Sequence, residues 1–521
     1  MSNFTYHIIT IGCQMNKSDS ERIAAVFEDM GIKEAPSRKE ADFVVLTTCG
    51  VRQGAEDRAY GLVRRIKMEN PFVKIILAGC LSERADVIER LKDDVALWLP
   101  ARAISDFRFM ILDLIQDVID IRRPADVGRL IKQEYLSIKP KYDSSFSAFV
   151  PIGNGCDNFC TYCVVPYARG REVYRPADEI IAEVEDLVTR RGYKEIVLIA
   201  QNVNSFECRM PNAECRIGDD VNSDYSEFPT RLPDGQVSNF PAQGWSASGG
   251  QFPNNFQFSN DKILKFSDIL RLVNAIDGDF WIRFATSHPK DMSDDLIAAI
   301  AECEKVCKHI HLPAQSGDNE ILQRMNRKYT REHYLGLIGK IREVSNAECR
   351  MSNAECRMSN AECRMPNVEC RMSNKYRQPL VSLTTDIIVG FPGETEEQFQ
   401  NTVKLFEEVK FDMAYIAQYS PRPGTAAEKL DDDVPAEEKK RREQELNDVL
   451  KNTALENNQA YLGKTVKVLV EEKNKKNEYF GRTETAKTVK IFGCDDEKIG
   501  KFIFVKIEKV KDFGLEGSLE N

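Results

Sequence analysis

No stretch of this 521-residue chain approaches the roughly 20 consecutive apolar residues that a membrane span requires. The opening Met1-Ser2-Asn3-Phe4-Thr5 lacks the basic-then-apolar layout of a signal peptide, so a cytoplasmic setting without membrane contact is expected. An excess of positive charge is also missing. The net charge of −10 excludes a protein that coats nucleic acid indiscriminately, but not one with a local basic groove. A reducing compartment disfavours disulfides, so the 15 cysteines point to metal or redox chemistry. With 42% hydrophobic and 30% charged residues the composition is that of an ordinary soluble protein. Its length implies about two to four domains.

What is present begins with Cys156, Cys160 and Cys163, a C-x3-C-x2-C run with no fourth ligand nearby. A structural zinc site is closed by four protein ligands, and half a zinc knuckle is the alternative for the triplet alone. A 4Fe-4S cluster takes one thiolate per iron, so three cysteines leave one iron open to a small molecule. This spacing, with Tyr162 before the third cysteine, resembles the signature of radical S-adenosylmethionine (SAM) enzymes. The resemblance implies that the amino and carboxylate groups of SAM chelate the open iron.

The fold class is α/β. Over 1–125, apolar runs at Tyr6–Ile11, Phe43–Thr47 and Lys74–Ala78 alternate with helical patterns at Ser18–Met30 and Gly54–Met68, predicting a parallel α/β domain. A cysteine follows each run: Cys13, Cys49 and Cys80. Ligands of open α/β sheets bind outside the carboxyl ends of the strands, so these three thiols are expected to converge as a second open-iron cluster site. The alternative is three unrelated buried thiols.

Over 142–450, further runs predict a partial (β/α)6 barrel: Phe149–Ile152, Glu195–Ala200, Trp281–Ala285, His309–Leu312, Thr384–Val389 and Met413–Gln418. Barrel chemistry sits on loops that follow strands, and the triplet follows the first strand. After the charged helical stretch Pro435–Asn457, residues 460–521 predict a small all-β barrel. From 461 onward it carries 13 Lys and Arg against 11 Asp and Glu, and Tyr479, Phe480 and Arg482 near a turn suit RNA contact.

Two intrusions share one repeat. Ser-Asn-Ala-Glu-Cys-Arg-Met and its variants fill 345–374, and the same unit recurs at 207–216. A fixed seven-residue step gives the repeat cysteines no chelating pair, so low-complexity insertions without chemistry are expected at about 207–259 and 345–377. Deleting 207–259 is expected to preserve or improve activity.

Taken together, the chain resembles the methylthiotransferases, most closely the tRNA 2-methylthio-N6-dimethylallyladenosine synthase family. The resemblance rests on Gly12-Cys13-Gln14-Met15-Asn16 with Asp19-Ser20, Thr48-Cys49-Gly50-Val51-Arg52, Gly79-Cys80, and the triplet with Val164 to Glu172. It continues through Gln201 to Ser205, His311 to Gly317 and Asp386 to Thr395, and through Gly481-Arg482-Thr483 and Gly500-Lys501 of a TRAM-like RNA-binding barrel. It implies two 4Fe-4S clusters, one on Cys156, Cys160 and Cys163 and a sulfur-donating one on Cys13, Cys49 and Cys80. The implied reaction uses two SAM molecules to methylthiolate carbon 2 of N6-isopentenyladenosine beside a tRNA anticodon, by radical chemistry. Gln201, Asn202, Ser287, His311 and Gln315 follow strands and are expected to contact the cofactor. Arg169 and Arg171 beside the cluster loop are expected to meet tRNA phosphate or the cofactor carboxylate, and Arg482 to meet RNA, with no side-chain acid or base catalyst. The implied partners are tRNA, a flavodoxin- or ferredoxin-like electron donor and iron–sulfur assembly machinery, with the enzyme a monomer. A ribosomal protein or another modified tRNA adenosine as substrate, or a zinc-dependent RNA-binding protein without catalysis, are the alternatives.

Overall fold

The computed structural model describes residues 4–50, 53–119, 135–209, 263–344 and 381–520. Residues 210–216 and 345–374 of the repeats, and Val51 and Arg52, lie outside them.

The first domain is one parallel sheet of β1 (Thr5–Thr10), β2 (Lys33–Glu34), β3 (Phe43–Thr48), β4 (Lys74–Gly79) and β5 (Val95–Leu99), ordered β2-β1-β3-β4-β5. β3 is buried at every residue, as a strand covered on both faces must be. Alternate residues face opposite layers. Val45 and Ile76 pack with α1 (Gln14–Asp29) and α4 (Phe107–Ile119), whereas Val44 and Leu77 pack with α2 (Gln53–Glu69) and α3 (Ala85–Leu91). This doubly wound order has its switch point between β1 and β3, where Cys13 and Cys49 follow the strands. The packing reaches Tyr135 and Ile138, past the expected boundary at 125.

From β6 (Ser147–Pro151) the chain passes a short antiparallel pair, β7 (Gly153–Asn154) and β8 (Val173–Tyr174), to β9 (Glu195–Ile199). A second such pair, β10 (Glu207–Arg209) and β11 (Ile263–Lys265), precedes β12 (Trp281–Phe284). Then come β13 (His309–His311), β14 (Ser382–Val389) and β15 (Met413–Gln418). Two parallel three-stranded sheets, β12-β9-β6 and β13-β14-β15, are joined through a parallel bridge between Ile282 and Val306. The result is the expected open arc of six parallel strands. Helices including Ala177–Glu185, Phe266–Asn274 and Asp294–Glu302 pack against it in one continuous apolar core.

One expectation fails here. The sequence reading puts 207–216 outside the folded core, but Glu207–Arg209 is strand β10, and Cys208 is buried beside Phe206 and Leu264. Pairing with β11 and burial of a small thiol override the repeat's low-complexity character.

Helix Ala436–Gln459 leads to a closed barrel of β16 (Thr465–Lys473), β17 (Tyr479–Thr483), β18 (Thr488–Phe492), β19 (Phe502–Lys511) and β20 (Gly514–Leu519). Arg283 of β12 joins the two barrels. It bonds Glu195 at 2.6 Å and donates to the carbonyls of Thr483 (2.7 Å) and Glu484 (3.1 Å). Among the described residues, no helix is long and apolar enough to cross a membrane.

Candidate metal and cofactor centre

Cys13 caps the N-terminus of α1, Cys49 follows β3, and Cys80 follows β4. Tight backbone approaches bring their loops together. Gly12 has φ +146°, and a Cβ there would lie 2.9 Å from the Cys49 Cβ and 2.6 Å from the Asn16 side chain. A Cβ on Gly50 would lie 3.3 Å from the Cys80 Cβ and 3.4 Å from Val164, the residue after Cys163. The sheet edge therefore abuts the loop of the triplet.

That loop turns at Gly155, whose φ of +83° and 2.0 Å approach of a would-be Cβ to the Arg171 carbonyl admit no other residue. Cys156 N–H donates to the Gly170 carbonyl (3.1 Å), and Cys163 N–H to that of Cys160 (3.0 Å). From the barrel, Asn326 donates to the Phe159 carbonyl (2.8 Å) and Arg327 Nη1 to Cys160 Sγ (3.4 Å).

Four other described cysteines, Cys208, Cys303, Cys307 and Cys494, pack in or against apolar clusters, the ordinary fate of a thiol without chemistry. Among the described residues, none of these apolar clusters includes one of the six candidate cysteines. Burial pushes the Cys156 thiol up to about 12 against the Asn158 amide. It also raises Cys80, which Arg169 pulls down and Cys13 pushes up. Cys163 is raised by burial and then by Cys160, with Cys156 and Cys80 adding to it, so the two sets lie within electrostatic reach of each other. Among the described residues no three His, Cys, Asp or Glu side chains form a group that would hold a single metal ion.

The loop after β13 meets the triplet through Arg327, which also donates to the Pro313 carbonyl (3.0 Å), and the loops after β9 and β12 are joined by the Val203 N–H donating to the Thr286 carbonyl (3.0 Å). Gln201 Oε1, Asn204 Oδ1 and Ser287 Oγ are buried there without a hydrogen-bond partner in the protein. Buried polar atoms are normally satisfied, so these three fit a polar ligand such as SAM. Asn202 is instead occupied, donating to Asp291 at 2.7 Å. His311 lies 3.0 Å from the Thr384 hydroxyl and 3.3 Å from Asp386. Gln315 is held at φ +66° by backbone bonds with Asp386 and Ile388. Thr286 (φ +70°) is a second strained residue on these loops. Such strain concentrates at functional sites.

One expected RNA contact is corrected. Arg169 is 4% exposed and pairs with Asp19 at 2.6 Å, so it faces the sheet domain and not solvent. Arg482 pairs with Glu471 (2.5 Å) and Glu195 (3.5 Å) at the junction of the two barrels, with its side chain 38% exposed. Only Arg171 is well exposed, beside Asp157 at 3.0 Å. Sequence reasoning missed Asn204, Thr286, Asn326 and Arg327. The polar pair Asn326-Arg327, just past the short helix Asn319–Arg324, was the available signal for the last two.

Comparison with known proteins agrees with this architecture. Residues 5–99 match Uncharacterized protein family UPF0004, 150–350 the Radical SAM superfamily, and 459–519 the TRAM domain. The chain is 37% identical to the tRNA-2-methylthio-N(6)-dimethylallyladenosine synthase of Acetivibrio thermocellus, over 99% of this chain and 90% of that one. The Clostridium tetani protein of the same name is also 37% identical, over 98% and 96%. A solved radical SAM methyltransferase, TsrM from Kitasatospora setae with cobalamin and a 4Fe-4S cluster bound, aligns with 82% of this chain and 77% of its own. Its identity is 11% and the TM-score 0.48. By its three matched domains and by its identity to these relatives over nearly the full length, the chain belongs to the tRNA-2-methylthio-N(6)-dimethylallyladenosine synthase family, transferases that work with SAM and 4Fe-4S clusters.

Proposed function

We propose that this chain places a methylthio group on carbon 2 of N6-isopentenyladenosine beside the anticodon of tRNA. The observation that carries this reading is the approach of the Cys13, Cys49 and Cys80 loops to the loop of Cys156, Cys160 and Cys163. One set serves SAM cleavage and the other holds the sulfur to be transferred. When bound, the clusters and SAM supply radical chemistry, which an aromatic C–H requires because it is too weak an acid for a general base.

The protein's own part is to bind, orient and exclude water. Cys156, Cys160 and Cys163 hold one cluster, with Arg327 beside Cys160 offsetting thiolate charge. The orphaned oxygens of Gln201 and Ser287 bind SAM, together with His311 of β13 and Gln315 on the loop that follows it. Arg171 meets tRNA phosphate. On the C-terminal barrel, exposed Phe492 and Phe504, with Lys490 over the Phe492 ring, offer stacking and charge to unpaired bases. A flavodoxin- or ferredoxin-like reductant and iron–sulfur assembly machinery complete the cytoplasmic system, in which the enzyme acts as a monomer.

Mass spectrometry of tRNA nucleosides from cells with and without the gene tests this. Loss of the methylthio group in the deletion strain, restored by the gene, is the expected result. An unchanged tRNA methylthio content overturns it and directs attention to a ribosomal protein substrate.

A further inference from the structure

Arg169 ends the short helix α5 (Val165–Arg169) directly after the triplet, yet its guanidinium lies inside the sheet domain. Nη2 bonds Asp19 Oδ2 (2.6 Å) and Asn16 Oδ1 (3.3 Å), while Nη1 bonds Asn154 Oδ1 (3.2 Å) and reaches Asp19 Oδ1 at 3.5 Å. Each partner sits beside a thiol set. Asn154 lies two residues before Cys156. Asn16 accepts the Cys13 thiol (3.4 Å) and donates to the Ile11 carbonyl (3.2 Å) at the end of the first strand. The Tyr135 hydroxyl donates to Asp19, closing the carboxylate off from water. Arg169, Asp19 and Asn16 are all buried.

A buried ion pair of this kind is a weak source of stability, because desolvating two charges offsets their attraction. Its better-attested use is to fix a register. The planar guanidinium fork, with bonds in both directions, is suited to that.

We propose that Arg169 is a positioning residue that sets the spacing between the two thiol sets, by clamping the triplet loop to the helix that starts at Cys13. This rests on the function proposed above. It assigns to the pair a role in setting the sulfur-holding centre at working distance from the SAM-cleaving one, not in forming either one.

Arg169→Met, Asp19→Asn and the double variant test it. In cluster-free protein, amide exchange across 13–29 and 156–170 should accelerate about tenfold or more in every variant, with the remainder of both domains unchanged. The double variant buries no unpaired charge, so its melting temperature should return close to the parent's. Its methylthio transfer should nonetheless stay down about 30-fold or more, with SAM cleavage changed by less than about threefold. Electron paramagnetic resonance of the reduced, loaded protein should show a weakened magnetic interaction between the clusters. Arg169→Lys, which keeps the charge but not the fork, should recover transfer only in part. A double variant that regains transfer along with stability overturns the proposal, as does a parallel fall of cleavage and transfer. Failure of the parent protein to take up iron and sulfide would instead overturn the underlying function.

Discussion

Cys156, Cys160 and Cys163 lie within eight consecutive residues on one loop, whereas Cys13, Cys49 and Cys80 hang from three strand ends that only a correctly ordered sheet brings together. The first set is a local device, shaped by one turn at Gly155 and braced from the barrel by Asn326 and Arg327. The second depends on the packing of a whole domain. The difference teaches that the two centres should fail independently, and that damage to the sheet should silence sulfur transfer before it silences SAM cleavage.

The largest expected effects come from the thiols themselves. Cys160→Ala should take both SAM cleavage and transfer to background, while Cys80→Ala should abolish transfer and leave cleavage standing. Assay of both products on the same preparations checks this, and loss of cleavage in Cys80→Ala would break the division. Gly155→Ala comes next, because its Cβ would fall 2.0 Å from the Arg171 carbonyl. The triplet should lose its cluster, leaving about four irons per chain on the sheet side.

A core truncation sharpens the comparison further. Ile76 is fully buried at the middle of β4, and Ile76→Ala should cost about 2–5 kcal/mol. Calorimetry should show the loss in the sheet domain, with iron depleted there and retained on the triplet.

Mild acid should act on the two regions with opposite sign. Burial, then Arg327 and Lys290, hold the barrel's His288 down to about 2. The unfolded chain therefore binds the extra proton, and barrel stability falls as pH drops below about 6.5. In the sheet domain, burial raises Glu21 to about 7. There the folded state binds the proton more readily, so its contribution grows as pH falls from about 7 towards 4.5. Domain-resolved hydrogen exchange across that range measures both slopes.

The smallest effect belongs to Arg171→Ala. Its exposed pair with Asp157 is worth roughly 0–1 kcal/mol, so stability should barely move. Affinity for tRNA should fall a few-fold, with a salt dependence shallower by about one phosphate contact.

Much of the framework was legible because its signals are local. Each parallel strand is a short apolar run, and each candidate thiol stands where such a run stops, so sheet topology alone predicts the meeting of Cys13, Cys49 and Cys80. The triplet's spacing carries its own chemistry. What escaped detection depends on distant partners. An arginine beside a cysteine loop reads as a surface cation, and nothing near Arg169 announces Asp19, 150 residues earlier. The pairing of Arg482 with Glu195 was hidden for the same reason, since Glu195 belongs to another domain. Cys208 sat inside a repeat that looked structureless, yet pairing between β10 and β11 drew it into the core.

The most direct test of the two-centre account is anaerobic reconstitution of the full chain, with iron, sulfide and zinc measured per chain. The account predicts about eight irons with matching sulfide, falling to about four when Cys13, Cys49 and Cys80 are all replaced by alanine. Zinc without sulfide, or a parent protein that never exceeds about four irons, would contradict it.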